Sequence, residues 1–276
     1  ADLVRLGAAL ELLHTFALVH DDVMDESPTR RGIPTTHVAV AAAHRAHGGV
    51  GDPQRFAESV AVLVGDLLHA RALVLAAPLP APVHARFAEM VLELVDGQAQ
   101  DVLAAAAGPG DLDRAREVAL LKTGRYSVQR PLELGGTLGS ASPDVLRELS
   151  RYGELVGEAF ALRDDALGVW GDPERTGKPV GDDLRDRKQT MMLALARDLL
   201  PPAGLALLDT DSGRALATDE VAELTAHLEA VGLRQAVAQR VEHLIGEAVE
   251  VLDPARAEAA GGHLETVAHE IAGSMP

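Results

Sequence analysis

The stretch PDVLRELSRYGELVGEAFALRDDALGVW, residues 143–170, decides the fold. Its apolar residues recur at three- and four-residue spacing, which puts them along one side of an α-helix. Pro143 after Ser142 is a helix start, and Gly171-Asp172-Pro173 is a stop. The same period runs outward on both sides. It predicts helices over Leu3–Asp22, His37–His47, Gln54–Ala77, Ala81–Ala107 and Asp113–Leu138, and then over Thr190–Leu200, Thr218–Val231, Leu233–Leu252 and Ala255–Ala272. The breaks between them fall at Ser27-Pro28, Gly48-Gly49, Pro78 to Pro82, Gly108-Pro109-Gly110 and Pro201-Pro202. Ala, Leu, Glu and Arg dominate, with three Ile and seven aromatics, a composition that favours helix over sheet. No repeat of fixed period and no long flexible linker occurs. The expectation is an all-α, single-domain helical bundle of about ten helices spanning residues 1–276.

A chain of 276 residues with 47% hydrophobic residues can bury a continuous core, which rules out disorder as its main state. The formal net charge of −17 argues against nucleic acid as a partner. No apolar run reaches the ~18 to 20 uninterrupted residues of a membrane-spanning helix, so no transmembrane segment is expected. The absence of Cys excludes disulfides, thiolate metal sites and a Cys nucleophile. No signal peptide is legible, because Asp2, Arg5 and Glu11 interrupt the first apolar residues, and a cytoplasmic location is expected. The first helix is in full pattern almost from its start with only Asp2 as a possible cap, which suggests a chain that begins inside a longer protein.

The chemistry-bearing residues begin at Asp21-Asp22-Val23-Met24-Asp25. Asp21 and Asp25 are four apart and share a helix face. Three carboxylates at a helix C-terminus repel one another and face the negative end of the helix dipole, so they call for a cation. Oxygen ligands without His or Cys select Mg²⁺. Taken alone, a solvated acidic helix end is the favoured explanation. A second pair, Asp164-Asp165, sits among Phe160, Ala161, Leu162, Ala166 and Leu167, where carboxylates are costly unless neutralised. Facing helices would set the two clusters across a central cavity, as bundles do for metal sites. Basic residues follow each cluster, Arg30-Arg31-Gly32 after the first and Lys178, Arg185, Arg187 and Lys188 after the second. Each alone reads as a surface charge. Together with metal they suit a polyphosphate.

In this order the features resemble the trans-polyprenyl diphosphate synthase family, the head-to-tail prenyltransferases. The resemblance begins at Glu11 to Thr15 and runs through His20 to Gly32, with the first aspartate-rich motif. It continues in Gly65-Asp66, Gly97-Gln98 with Gln100-Asp101, Lys122-Thr123, Tyr152-Gly153 and Gly157 to Phe160. It ends in Asp164-Asp165-Ala166-Leu167-Gly168, Thr176 to Pro179 and Asp183 to Lys188. The resemblance implies the type I isoprenoid synthase fold, a homodimer, and three Mg²⁺ per active site. It implies a reaction in which an allylic diphosphate ionises and is attacked by isopentenyl diphosphate. Carried over by position, Asp21, Asp25 and Asp164 match direct Mg²⁺ ligands, and Asp22, Asp165 and Asp183 match supporting ones. Arg30, Lys122, Lys178 and Lys188 match residues that hold the allylic diphosphate. Arg31 and His14 match residues for isopentenyl diphosphate, and Gln98 and Thr123 match secondary contacts.

Departures from the family pattern are also legible. Gly168 stands where the family has an Asp, and Ala161 where Gln is common. The basic Gly-Gly-Lys-Arg-x-Arg-Pro segment that precedes the first motif in relatives is absent, consistent with a missing N-terminal segment. Phe16, five residues and about 7.5 Å before Asp21 along the axis, would form the floor under the growing prenyl chain. Ala17 beside it leaves room, a pattern like that of C20 (geranylgeranyl) synthases. Ordinary core packing of Phe16 is the competing explanation. Other readings of the whole chain are a class I terpene cyclase, a non-catalytic regulatory subunit of a heteromeric synthase, and a plain acidic scaffold.

Overall fold

The computed structural model describes residues 1–107, 111–172, 181–209, 215–252, 262–273 and 275. Its helices are α1 (Asp2–Met24), α2 (Thr36–Ala46), α3 (Pro53–Ala76), α4 (Ala81–Ala107), α5 (Leu112–Ala119), α6 (Arg130–Leu138) and α7 (Pro143–Trp170). They continue as α8 (Asp182–Arg185), α9 (Met191–Arg197), α10 (Pro202–Asp209), α11 (Thr218–Ala230), α12 (Leu233–Val251) and α13 (His263–Gly273). The all-α expectation holds, and α7 has the bounds that its apolar period predicts. Helix starts follow the capping rule: the side chains of Asp52, Asp111, Ser142 and Thr190 accept from the backbone N–H of Gln54, Arg114, Val145 and Leu193. Asp2 departs from expectation. It lies inside α1, where it pairs with Arg5 at 3.3 Å, and Ala1 is the cap residue.

Four further differences have local causes. The predicted helix over 113–138 is α5, a π-helical segment at Leu120–Gln129, and α6 in succession. A wider turn hardly alters the spacing of apolar residues, so the period does not report it. The helix α10 begins at Pro202, where the Pro-Pro pair reads as a break although Pro is well placed at a first helical position. The single turn α8 carries too few residues for a period to show. A short antiparallel hairpin, β1 (Thr29–Arg30) with β2 (Ile33–Pro34), fills the break after α1. The last predicted helix is described from His263 onward, and residues 253–261 lie outside the described part.

The chain forms two compact units, with the division inside α4 after Ala85. In the first, α1 packs on α3, and α2 packs on α3 as well. α1 contributes Leu6, Ala9, Leu13, Phe16 and Val19, while the buried positions of α3 are small: Ala57, Ala61, Gly65, Ala72 and Ala76. Large residues on one helix and small ones on the other allow close approach. Both α1 and α3 are long and apolar enough to cross a membrane by length and composition, but acidic and basic residues such as Glu11, Asp66 and Arg71 interrupt them. In the second unit α7 is central and packs against the π segment, α6, α8, α9, α12 and α13. Tyr152 donates its hydroxyl to the Leu264 carbonyl at 2.6 Å. The buried Glu158 accepts from Arg116 and Arg240 at 2.8 Å each, which ties α5, α7 and α12 together. Burial pushes the Glu158 carboxyl up, and the two guanidinium groups outweigh it to hold it below its usual range.

The π segment lies against its neighbours backbone to backbone. A Cβ on Gly97 of α4 would come within 2.5 Å of the Lys122 amide nitrogen. Gly124 of the segment meets Gly157 of α7 equally closely, a Cβ on Gly124 falling 2.9 Å from the Gly157 carbonyl carbon. Gly97→Ala forces backbone to move, and overpacking of that kind costs about 1–3 kcal/mol. The thermal midpoint of the variant should fall by several degrees, at ~2–4 °C per kcal/mol for a chain of this size. An unchanged midpoint by differential scanning calorimetry would contradict the close approach.

Candidate active site

In the first unit the hairpin delivers Arg30 to the end of α1. Arg31 and Gly32 form its two-residue turn with φ of +53° and +76°, the two positive values that a type I′ turn requires. Only one of the two is Gly, so Arg31 carries a strained backbone at the exposed tip. Thr35 closes the base of the hairpin: its hydroxyl donates to the Ser27 carbonyl at 2.7 Å and its N–H to that of Pro28 at 3.2 Å. Arg30 donates Nε to Asp22 Oδ1 at 2.7 Å and Nη2 to Asp21 Oδ2 at 3.0 Å. The guanidinium is therefore the cation that the crowded helix end calls for. Asp22 is only 5% exposed. Burial pushes its carboxyl above the usual range, and Asp21 adds to this; Arg30 reduces the shift without abolishing it. Asp25 follows as the residue that ends α1, its N–H donating to the Asp21 carbonyl at 2.8 Å.

His14 belongs to the same cluster. Burial lowers its pKa, and the nearby charges of Arg31 and Arg30 lower it further against the pull of Glu11, so the ring is neutral at pH 7. Phe16 faces α3, with its ring stacked on His69 at 4.7 Å and 19° and met edge-on by His20 at 4.7 Å and 64°. Ala17 is half-buried beside it. His20 Nε2 lies 3.0 Å from the Val62 carbonyl, which can only accept, so that nitrogen carries the proton. A Cβ on Gly65 would come within 2.2 Å of this ring. The Gly65-Asp66 pair thus has a mechanical meaning: the missing side chain seats His20, and Asp66 Oδ1 stands 3.7 Å from its Nε2. Sequence reasoning assigned no role to His20, Gly65 or His69. The bare Gly in an otherwise apolar helix was the available signal.

In the second unit Asp164 is exposed near the C-terminal end of α7, and Asp165 is half-buried with Oδ2 accepting from the Met192 N–H at 3.2 Å. Burial raises the Asp165 carboxyl well above its usual range, and the nearby Asp183 and Asp164 add to this against Lys188. Lys188 Nζ is 3.7 Å from Asp183 Oδ1. Of the flanking residues, Ala161, Leu162 and Ala166 are buried as expected, whereas Phe160 and Leu167 are half-buried. On the π segment, Lys122 Nζ donates to Asp101 Oδ2 of α4 at 2.6 Å. Thr123 is next to it, and Gln98 adjoins Gly97, the residue that touches the Lys122 backbone. Lys178 lies outside the described residues. A cavity of about 430 Å³ lined by Asp111, Asp113, Arg197 and Asp198 contains none of the predicted site residues.

Among the described residues no three His or carboxylate side chains converge tightly enough to hold a metal ion alone. The donor set fits Mg²⁺ in kind: the acidic side chains at each stretch are carboxylates, and two of them, Asp22 and Asp165, are raised above their usual range chiefly by burial, with neighbouring Asp side chains adding to the shift.

The chain belongs to the polyprenyl synthetase family, whose sequence model matches residues 1–228. It is 36% identical over 200 residues to a geranylgeranyl diphosphate synthase of Mycobacterium tuberculosis (strain ATCC 25618 / H37Rv), covering 71% of this chain and 52% of that one. It is 33% identical over 202 residues to a geranylfarnesyl diphosphate synthase of Aeropyrum pernix, covering 70% and 58%. The chain therefore spans little more than half the length of these curated relatives. Among solved structures it resembles a geranylgeranyl pyrophosphate synthase from Corynebacterium glutamicum complexed with isoprenyl diphosphate and magnesium. There the TM-score is 0.87 at 36% identity, over 98% of this chain and 79% of that one.

Arg30→Ala leaves the buried Asp22 without its partner, a loss of ~3–5 kcal/mol by analogy with other buried pairs. The pH dependence has a definite sign. Asp22 titrates higher folded than unfolded, so acidification through its folded pKa stabilises the fold, and more so where Arg30 is gone. The gap in thermal midpoint between the wild type and Arg30→Ala, measured without divalent metal, should narrow from pH 7 toward pH 4. A gap that is constant or widens over that range would contradict the pairing.

Proposed function

We propose that this protein condenses isopentenyl diphosphate with an allylic diphosphate to give an all-trans polyprenyl diphosphate, in a Mg²⁺-dependent reaction with geranylgeranyl (C20) diphosphate as the product. The observation that carries the reading is Arg30, gripped by both Asp21 and Asp22 at the end of α1. A guanidinium and a set of carboxylates on one spot can hold phosphate oxygens directly and through metal at once. Membership of the family and the likeness to a geranylgeranyl synthase that binds isoprenyl diphosphate and magnesium support it.

The difficult step is departure of diphosphate from the allylic carbon. The C–O bond breaks with its electron pair going to oxygen, and the developing charge must meet donors already in place. Arg30, Lys122 and Lys188 supply N–H donors, each kept in position by a carboxylate: Asp21 and Asp22, Asp101, and Asp183 respectively. Lys178 is assigned to the same task from the sequence. Asp21, Asp25 and Asp164, with Asp22, Asp165 and Asp183 in support, are the residues that would hold the three Mg²⁺, and the metal would supply Lewis-acid stabilisation of the leaving group. Arg31 and the neutral His14 hold isopentenyl diphosphate, with Gln98 and Thr123 as lesser contacts. Its double bond attacks the allylic cation, a C–C bond forms, and the adjacent carbon loses a proton to the departed diphosphate. No side-chain base is required.

Phe16 with Ala17 sets the chain length. Its ring is held on both sides by His20 and His69, which suits a rigid floor. The homodimer belongs to the same reading. Val62, Leu63, Leu67, Leu73 and Val74 of α3 are exposed, an apolar face consistent with a second copy.

Mass analysis of products made by the protein with Mg²⁺, radiolabelled isopentenyl diphosphate and each allylic primer in turn should show labelled C20 diphosphate. A volatile hydrocarbon without label would mean a cyclase, and neither product would mean a non-catalytic subunit. Phe16→Ala should shift the products to longer chains, and an unchanged distribution would remove Phe16 from the floor.

A further inference from the structure

One buried polar residue of the first unit, His37, has no part in the site described so far. Thr35, just before α2, and His37, in its first turn, are each 3% exposed, and His37 Nδ1 lies 3.3 Å from Thr35 Oγ1. The Thr35 hydroxyl has a single proton, which it donates to the Ser27 carbonyl at 2.7 Å. Toward the imidazole the hydroxyl oxygen is therefore an acceptor, and Nδ1 carries the ring proton. The hydrogen bonds run one way, from α2 through Thr35 to the chain that enters the hairpin. That chain is strained. Glu26, just before Ser27, has φ of +50°, and Arg31 at the hairpin tip has φ of +53°. Side chains rarely adopt such values, and they persist only where the surroundings over-determine them. Here Ser27 and Pro28 supply the constraint. The Ser27 N–H donates to the Asp22 carbonyl at 3.0 Å, and the carbonyls of both residues accept from Thr35. Between the two strained residues stands Arg30, with its guanidinium on Asp21 and Asp22.

We propose that His37 is a positioning residue for diphosphate binding: its Nδ1–H fixes the Thr35 hydroxyl, Thr35 pins Ser27 and Pro28, and the pinned backbone aims Arg30 at the end of α1. The anchor is firm because α2, which carries His37, packs on α3. Removing the N–H leaves the Thr35 oxygen short of a donor in a dry site. The strained hairpin then loses a constraint, and Arg30 loses its direction. The proposal rests on the reading of Arg30 as a diphosphate-binding residue, and it adds a residue outside the charged cluster that acts on the ligand only through Thr35.

Calorimetric titration of inorganic diphosphate into the full chain with saturating Mg²⁺, at a temperature where every variant is folded, tests this without turnover. His37→Leu occupies the space without the N–H and should weaken diphosphate binding ~10-fold or more, the range for losing an outer hydrogen-bond partner of a binding site. Asn sets an amide N–H close to where Nδ1 stands, so His37→Asn should bind within about threefold of wild type. Thr35→Val should weaken binding as His37→Leu does, and the two together should weaken it no further, because both act through one link. If His37→Leu does not fold, His37→Phe, a ring without the N–H, takes its place. A merely structural His37 would lower the thermal midpoint and leave the affinity of the folded protein unchanged. That result, equal weakening in His37→Leu and His37→Asn, or full additivity in the double variant overturns the proposal. If the wild type itself binds no diphosphate with Mg²⁺, the reading of Arg30 fails and takes the proposal with it. The two failures look different, since in the first the wild type binds.

Discussion

A carboxylate taken out of water must be matched by positive charge or by donors, and the structure divides its buried and half-buried carboxylates by how that demand is met. Glu158 and Glu93 are drawn below their usual range: burial pushes them up, but Arg116 with Arg240, and Arg130 with Arg125, more than offset it. These are closed networks that hold helices together. Asp22 and Asp165 are shifted the other way, pushed up by burial and by neighbouring Asp side chains, even though Arg30 contacts the first and Lys188 lies near the second. In the two aspartate-rich stretches burial outweighs the neighbouring cations, whereas at Glu158 and Glu93 the guanidinium groups outweigh burial. A metal ion with a polyanion is the kind of ligand that completes such a set.

The basic residues are placed by local backbone geometry. Arg30 reaches back from a hairpin whose tight turn depends on positive φ at Arg31 and Gly32. Lys122 is presented by a π segment that lies against α4 and α7 only because Gly97 and Gly157 offer bare backbone. Each of these cations is held by a carboxylate, so in the proposed reaction little reorganisation is left for the moment when charge moves onto a leaving group. Packing and chemistry share residues throughout. Gly65 seats His20, His20 braces Phe16, and Phe16 is the side chain on which product length is proposed to turn.

Much of this was legible in the sequence because it depends on periodicity and residue type. The all-α architecture, the bounds of α7, and both acidic clusters with their trailing basic residues follow from spacing alone. The hairpin was hidden because two-residue strands show no alternation, although Arg-Gly ahead of Ile-Pro was a turn signal. The π segment was hidden because a short stretch of wider turns leaves the apolar rhythm of 113–138 nearly intact. The roles of Gly65 and Gly97 could not be read, since a Gly in a helix states only that a side chain is missing. What occupies the vacated space, His20 or the Lys122 backbone, is a property of the folded chain.

The central claim is that the aspartate-rich stretches bind a polyanion through metal. Isothermal titration calorimetry of inorganic diphosphate into the protein, with saturating Mg²⁺ and then with a chelator, tests it most directly. Coupling between the two ligands should make diphosphate bind about 100-fold more tightly with Mg²⁺ than without, with the same factor governing Mg²⁺ in return. Equal affinity in the two conditions would contradict the account.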